Sequence, residues 1–133
     1  MARNIIGVAT GLAVWLTITL LAGLVMREMW PAYAGVADEM TFTLPMMIAR
    51  LSIGAFATVT IGVVTACITQ STLARLIPGI ILLIVFIPEH VMLWDTFPIW
   101  YHLWFLLSLV PLTYVGNSLT GISLSPSRER IEV

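Results

Sequence analysis

The hydrophobic pattern of the chain is dominated by four long apolar runs separated by short polar stretches. These runs predict helices at approximately 4–26, 45–69, 77–95 and 98–119. Each run approaches the roughly 20 residues that a helix needs to cross a hydrocarbon core of about 30 Å. A helix satisfies its own backbone hydrogen bonds in lipid, whereas an open strand does not. The pattern therefore predicts an all-α membrane protein, an antiparallel four-helix transmembrane bundle.

The composition supports a membrane protein and argues against a soluble one. The 133 residues are 59% hydrophobic and 10% charged, whereas a soluble domain is about 25% charged. The first run is longer than the apolar core of a secretory signal, so we interpret it as an uncleaved signal anchor. The net charge is −1 with no basic cluster, so nucleic acid is not expected as a partner.

The polar stretches predict a single integral membrane domain over 1–133. Its only long connection is 27–44, which we expect on the outer side of the membrane, and residues 120–133 are expected to form a frayed tail. The hairpin between the third and fourth helices is tight.

The arginines predict the orientation of the four spans. An even number of spans places both termini on one side of the membrane. That side would carry Arg3, Arg75, Arg128 and Arg130, and the opposite side would carry Arg27 and Arg50. Because arginine is enriched in cytoplasmic loops, both termini are predicted to be cytoplasmic, in a bacterial inner membrane.

Small residues recur at helical spacing in the first two runs. Since lipid removes most of the hydrophobic drive between helices, close approach at small residues is expected to hold such helices together. The predicted packing positions are Gly7, Gly11, Gly54, Thr58, Gly62 and Ala66.

Ionisable side chains from three predicted helices fall at similar depths in the outer half of the membrane. The candidate polar cluster consists of Arg50, Glu89, His90, Asp95 and His102. Buried charges normally pair, and arginine grips a carboxylate with two hydrogen bonds. We therefore expect a buried ion pair between Arg50 and Glu89, with Asp95 as the second choice of partner.

Aromatic residues near the predicted outer hairpin have a simpler interpretation as an interfacial belt. The expected anchors are Trp94, Trp100, Tyr101 and Trp104. Such belts fix many membrane helices at the level of the lipid headgroups. His102 lies among these residues and is itself interpreted as a belt residue.

No sequence motif identifies a catalytic centre, so we expect a protein that is not an enzyme. The leading hypothesis is an accessory or assembly subunit that contacts lipid and either other membrane subunits or a second copy of itself. The alternative is a small homo-oligomeric, proton-coupled carrier or channel that uses Glu89 and His90. No cofactor is predicted, although haem or a divalent metal at His90 and His102 is a further alternative.

Overall fold

The computed structural model describes residues 1–123, and every regular element in that range is an α-helix. The helices are α1 (Ala2–Met29), α2 (Pro31–Val36), α3 (Leu44–Ile68), α4 (Ile77–Met92) and α5 (Ile99–Ser123). Three of them, α1, α3 and α5, are long and apolar enough to cross a membrane, and α4 is a shorter apolar helix of 16 residues. The three long apolar helices indicate an integral membrane protein.

Proline marks the start of three helices. Pro31 begins α2, and Pro45 and Pro78 lie in the first turns of α3 and α4. The first turn of a helix leaves its N–H groups unpaired, so a residue without an N–H costs nothing there.

Several helix bounds differ from those expected from the hydrophobic pattern. The short helix α2 lies inside the long connection 27–44, where no helix was predicted. Helix α4 ends at Met92, and α5 continues to Ser123, so the expected tail is helical over its first residues. The remainder of that tail, 124–133, lies outside the described residues.

Helix α3 lies at the centre of the fold, between α1 and α5. It runs antiparallel to α1: a Cβ atom on Gly7 would meet Ile68 and Thr69, whereas the Trp15 indole N–H donates to Thr58 Oγ1 over 3.2 Å. The core between these helices and α4 contains the buried side chains of Trp15, Ala57, Ile61, Leu82 and Leu109.

Helices α3 and α5 run parallel and approach each other most closely at two glycines. A Cβ atom on Gly62 would meet the carbonyl oxygen of Thr113, and one on Gly116 would meet that of Val59. The Cα atom of either glycine would lie 3.0 Å from a Cβ atom built on the other. The two backbones are therefore in direct contact, which only glycine permits at these positions.

Helix α4 packs antiparallel on α5. Gly79 lies against Thr113 near one end of the pair, and His90 contacts His102 near the other. We call the end of the helices that holds the connection 30–43 and the turn 93–98 the hairpin end.

Candidate functional site

A cavity of about 330 Å³ lies among the helices toward the hairpin end. This volume is at the lower end of the roughly 300–1,000 Å³ typical of small-molecule sites. Its walls are mostly apolar and aromatic and include Trp15, Phe86, Phe97 and Phe105. The side chains with polar groups on its walls are Thr19, Tyr33, Arg50, Glu89, His90 and Tyr101. All five helices thus contribute to one partly open pocket.

The guanidinium of Arg50 is held by two tyrosines. Its Nη1 donates to the hydroxyl oxygen of Tyr33 over 2.7 Å, and its Nε donates to that of Tyr101 over 3.3 Å. Its Cζ atom lies 4.6 Å from the centre of the Phe42 ring, in a cation–π contact. Both tyrosines are buried, with exposed fractions of 3% and 6%. The arginine is therefore fixed on the cavity wall by neutral groups.

The expected ion pair of Arg50 with Glu89 or Asp95 is not confirmed. Within residues 1–123 the salt bridge present is that of Arg27 with Asp38, at 2.8 Å between exposed side chains. Glu89 lines the same cavity as Arg50 but is exposed, and Asp95 is exposed in the turn after α4. Similar depth in the membrane did not bring the acids to the arginine, whose hydrogen-bond acceptors are the hydroxyl oxygens of Tyr33 and Tyr101.

The two histidines form a buried pair. Nδ1 of His90 lies 2.7 Å from Nδ1 of His102, and Nε2 of His102 lies 3.2 Å from the carbonyl oxygen of Phe97. His102 is completely buried and stacks on Trp94 with ring centres 4.9 Å apart. The interpretation of His102 as an interfacial belt residue is therefore wrong, because its ring turns inward to meet α4.

The hydrogen bonds of the pair assign the neutral tautomers. A carbonyl oxygen only accepts, so Nε2 of His102 carries the proton and its Nδ1 accepts. Nδ1 of His90 is then the donor, which leaves Nε2 of His90 with a lone pair. His90 lines the cavity, so this nitrogen is the one left to meet a ligand or a proton.

The expected aromatic anchors divide into two groups. Trp94, Trp100 and Trp104 are exposed, with fractions of 45%, 43% and 63%, as residues facing lipid or its interface would be. Tyr101 differs, because it is buried between Arg50 and the rings of Phe97 and His102. It is a part of the site and not an anchor.

The sequence pattern did not identify Tyr33 and Tyr101 as partners of Arg50. A signal for Tyr101 existed: Tyr101 and Phe105 are four residues apart, which places them on one face of a helix. Tyr33 had no comparable signal, because it lies on α2, a helix that the pattern did not predict.

The small residues expected to mediate packing lie at several different contacts. Gly7 and Gly11 face α3, Gly54 faces Phe105, and Gly62 faces α5. Thr58 accepts the indole N–H of Trp15, and Ala66 is buried.

Possible metal ligands are sparse in the same region. Within residues 1–123 no group of three or more histidine, cysteine, aspartate or glutamate side chains is close enough to hold a metal ion. Compared with known proteins, the chain matches no family model, no curated protein and no solved structure.

Proposed function

We propose that the chain crosses a bacterial inner membrane four times, as an antiparallel bundle with both termini in the cytoplasm. Support comes from α4, an apolar helix of 16 residues that packs antiparallel on α5 and so runs in the opposite direction through the bundle. The larger number of arginines on the side of the termini supports the orientation. The hairpin end then lies toward the outer face of the membrane.

Cysteine labelling tests this topology. Asp38 and Thr72 are exposed and lie in connections at opposite ends of the helices. In a Cys67→Ser background, an impermeant maleimide should label Asp38→Cys in intact cells and Thr72→Cys only after permeabilisation. The reverse pattern contradicts the orientation, and labelling of both positions in intact cells contradicts four spans.

The function that the geometry supports best is non-enzymatic binding of a small amphipathic molecule in the outer half of the membrane. The observation that carries it is the cavity, in which a fixed guanidinium and two tyrosine hydroxyls share walls with aromatic side chains. A few placed polar groups in a mostly apolar pocket are the usual form of a ligand site. The protein would act as a binding subunit, alone or with another membrane protein.

Filling the cavity tests this function without changing its polar groups. Gly23 lines the cavity, and a Cβ atom added there meets nothing within 4 Å. Gly23→Leu should therefore fold normally and occupy ligand space. Gly121→Leu is the matched control, because its added Cβ also meets nothing and it lies outside the cavity lining.

Trp15 offers a reporter for binding because it lines the cavity. A variant with the other tryptophans changed to phenylalanine keeps this one fluorophore; the changed positions are Trp30, Trp94, Trp100 and Trp104. Brominated ten-carbon amphiphiles, which quench tryptophan on contact, should quench it saturably in lipid nanodiscs. Gly23→Leu should remove the saturable component and Gly121→Leu should retain it. Equal quenching in the two variants contradicts binding in this cavity.

The histidine pair favours a second candidate, the proton-coupled carrier. Two hydrogen-bonded imidazoles connect the cavity wall with the backbone of the turn after α4, which is a short path for a proton. Four helices from one chain are few for a complete pathway, so this function requires a homo-oligomer. Proton flux into liposomes that disappears in His90→Gln would favour the carrier; a monomer without flux excludes it.

The haem or metal alternative draws little support from the same pair. The two Nδ1 atoms share a hydrogen bond and Nε2 of His102 donates to a carbonyl oxygen, which leaves Nε2 of His90 as the available ligand atom. A Soret band in the purified protein that vanishes in His90→Ala would establish haem against this argument.

A further inference from the structure

The polar groups around Arg50 on the cavity wall are mainly donors. A guanidinium has five N–H bonds and accepts none. Two of those of Arg50 go to the hydroxyl oxygens of Tyr33 and Tyr101, and the others have no protein acceptor within residues 1–123. Each tyrosine hydroxyl that accepts from the arginine still has its own hydrogen to donate. The wall around Arg50 is therefore arranged to receive an acceptor.

The charge of Arg50 points to an acceptor that is an anion. No carboxylate lies within salt-bridge distance of Arg50 in the described part of the chain. A cation inside the membrane is costly unless it is paired. The tyrosines and the ring of Phe42 stabilise the cation but do not neutralise it. A ligand with one negative charge would complete the pair.

The remainder of the cavity fits an apolar chain. The rings of Trp15, Phe86 and Phe105 follow one another along the wall, with centres 5.4 and 5.1 Å apart. A volume of about 330 Å³ equals that of roughly eleven water molecules at about 30 Å³ each. It holds a headgroup and a short length of hydrocarbon, and its open side permits a longer chain to continue into lipid.

We propose that this cavity binds a single-chain carboxylate amphiphile, with the carboxylate on Arg50, Tyr33 and Tyr101. The inference rests on the proposed binding function and adds the chemical class of the ligand. A carboxylate is favoured because its single charge matches one guanidinium and its two oxygens match the planar fork.

Glu89, the acid on the cavity wall, helps to decide which kind of headgroup the cavity binds. It would repel a carboxylate, whereas it would attract the ammonium of a zwitterionic headgroup. Replacing Glu89 by glutamine therefore distinguishes the two kinds of ligand. For a simple carboxylate the affinity should stay the same or rise.

The test compares three probes on the Trp15 reporter: brominated decanoate, brominated decanol of the same length, and acetate as a competitor. Decanoate should bind at least about tenfold more tightly than decanol, because a hydrogen bond to a charged group contributes about tenfold or more. Arg50→Gln should remove this preference, and Tyr33→Phe should reduce it while leaving the arginine in place. Acetate up to millimolar concentration should not displace decanoate.

Each contrary result has its own meaning. Equal binding of decanoate and decanol overturns the carboxylate assignment but leaves the binding function standing. Displacement by acetate shows a site for small free anions and overturns the amphiphile. A loss of decanoate affinity in Glu89→Gln shows that Glu89 supports binding instead of repelling the carboxylate, and this result also overturns the assignment. Absence of saturable binding by any brominated probe contradicts the proposed function itself.

Discussion

The contact between α3 and α5 depends on two glycines, so a single methyl group at Gly116 should make the protein less stable than a methyl group at Gly121, an uncrowded glycine on the same helix. A Cβ atom there would collide with the backbone of α3 at the carbonyl of Val59 and would lie 3.0 Å from the Cα atom of Gly62. Backbone atoms cannot move aside by changing rotamer, so the helices would have to separate.

The magnitude follows from two opposing terms. Overpacking costs about 1–3 kcal/mol, whereas alanine gains about 1 kcal/mol over glycine in a helix interior. Gly116→Ala should therefore lower the free energy of unfolding by roughly 0–2 kcal/mol. Gly121→Ala lies on the same helix and adds a Cβ atom that meets nothing within 4 Å, so it should be neutral or stabilising.

The two variants are best compared by reversible unfolding with dodecyl sulfate in mild detergent, followed by far-ultraviolet circular dichroism. Much of the propensity gain is common to both, so their difference isolates the cost of overpacking, about 1–3 kcal/mol in favour of Gly121→Ala. If Gly116→Ala is as stable as Gly121→Ala, the backbones of α3 and α5 are not in contact as described.

Three further changes test other contacts by the same unfolding measurement. Thr58→Val leaves the buried indole N–H of Trp15 without its acceptor and should cost about 1–3 kcal/mol; an unchanged protein would contradict that bond. Arg27→Ala removes an exposed ion pair and should change the free energy of unfolding by less than about 1 kcal/mol. A larger loss would contradict the solvent-exposed position of this pair. His102→Phe keeps an aromatic ring at this position but leaves Nδ1 of His90 unpaired, and should cost about 1–3 kcal/mol. Full stability of His102→Phe would contradict the buried histidine pair.

The long helices could be predicted from the sequence because lipid restricts which segments can cross a membrane. A segment in the hydrocarbon core must be apolar and helical, so the apolar run alone predicts the element. This rule fails for α2, which is too short to leave such a pattern and forms where Pro31 and the packing of Tyr33 support it. It also overestimates α4, whose last apolar residues form the turn to α5.

The sequence was a poorer guide to the partners of the side chains within the site. Depth along a helix follows from residue number, but rotation and choice of neighbour depend on packing between elements. Equal depth therefore suggested Glu89 as the partner of Arg50, whereas the nearest acceptors are hydroxyl groups on α2 and α5. The glycines show the same limit: Gly62 was visible in a repeating stripe, but its contact with Gly116 depends on α5 packing directly on α3.

Native mass spectrometry of the protein extracted from its membrane in mild detergent tests most directly whether the cavity binds a ligand. We expect a one-to-one adduct with the mass of a single-chain carboxylate amphiphile, present in the unchanged protein and in Gly121→Leu. The adduct should be lost in Gly23→Leu, whose added side chain occupies cavity space and leaves Arg50 itself unchanged. A bare protein, or an adduct of equal abundance in Gly23→Leu, would contradict a ligand site in this cavity.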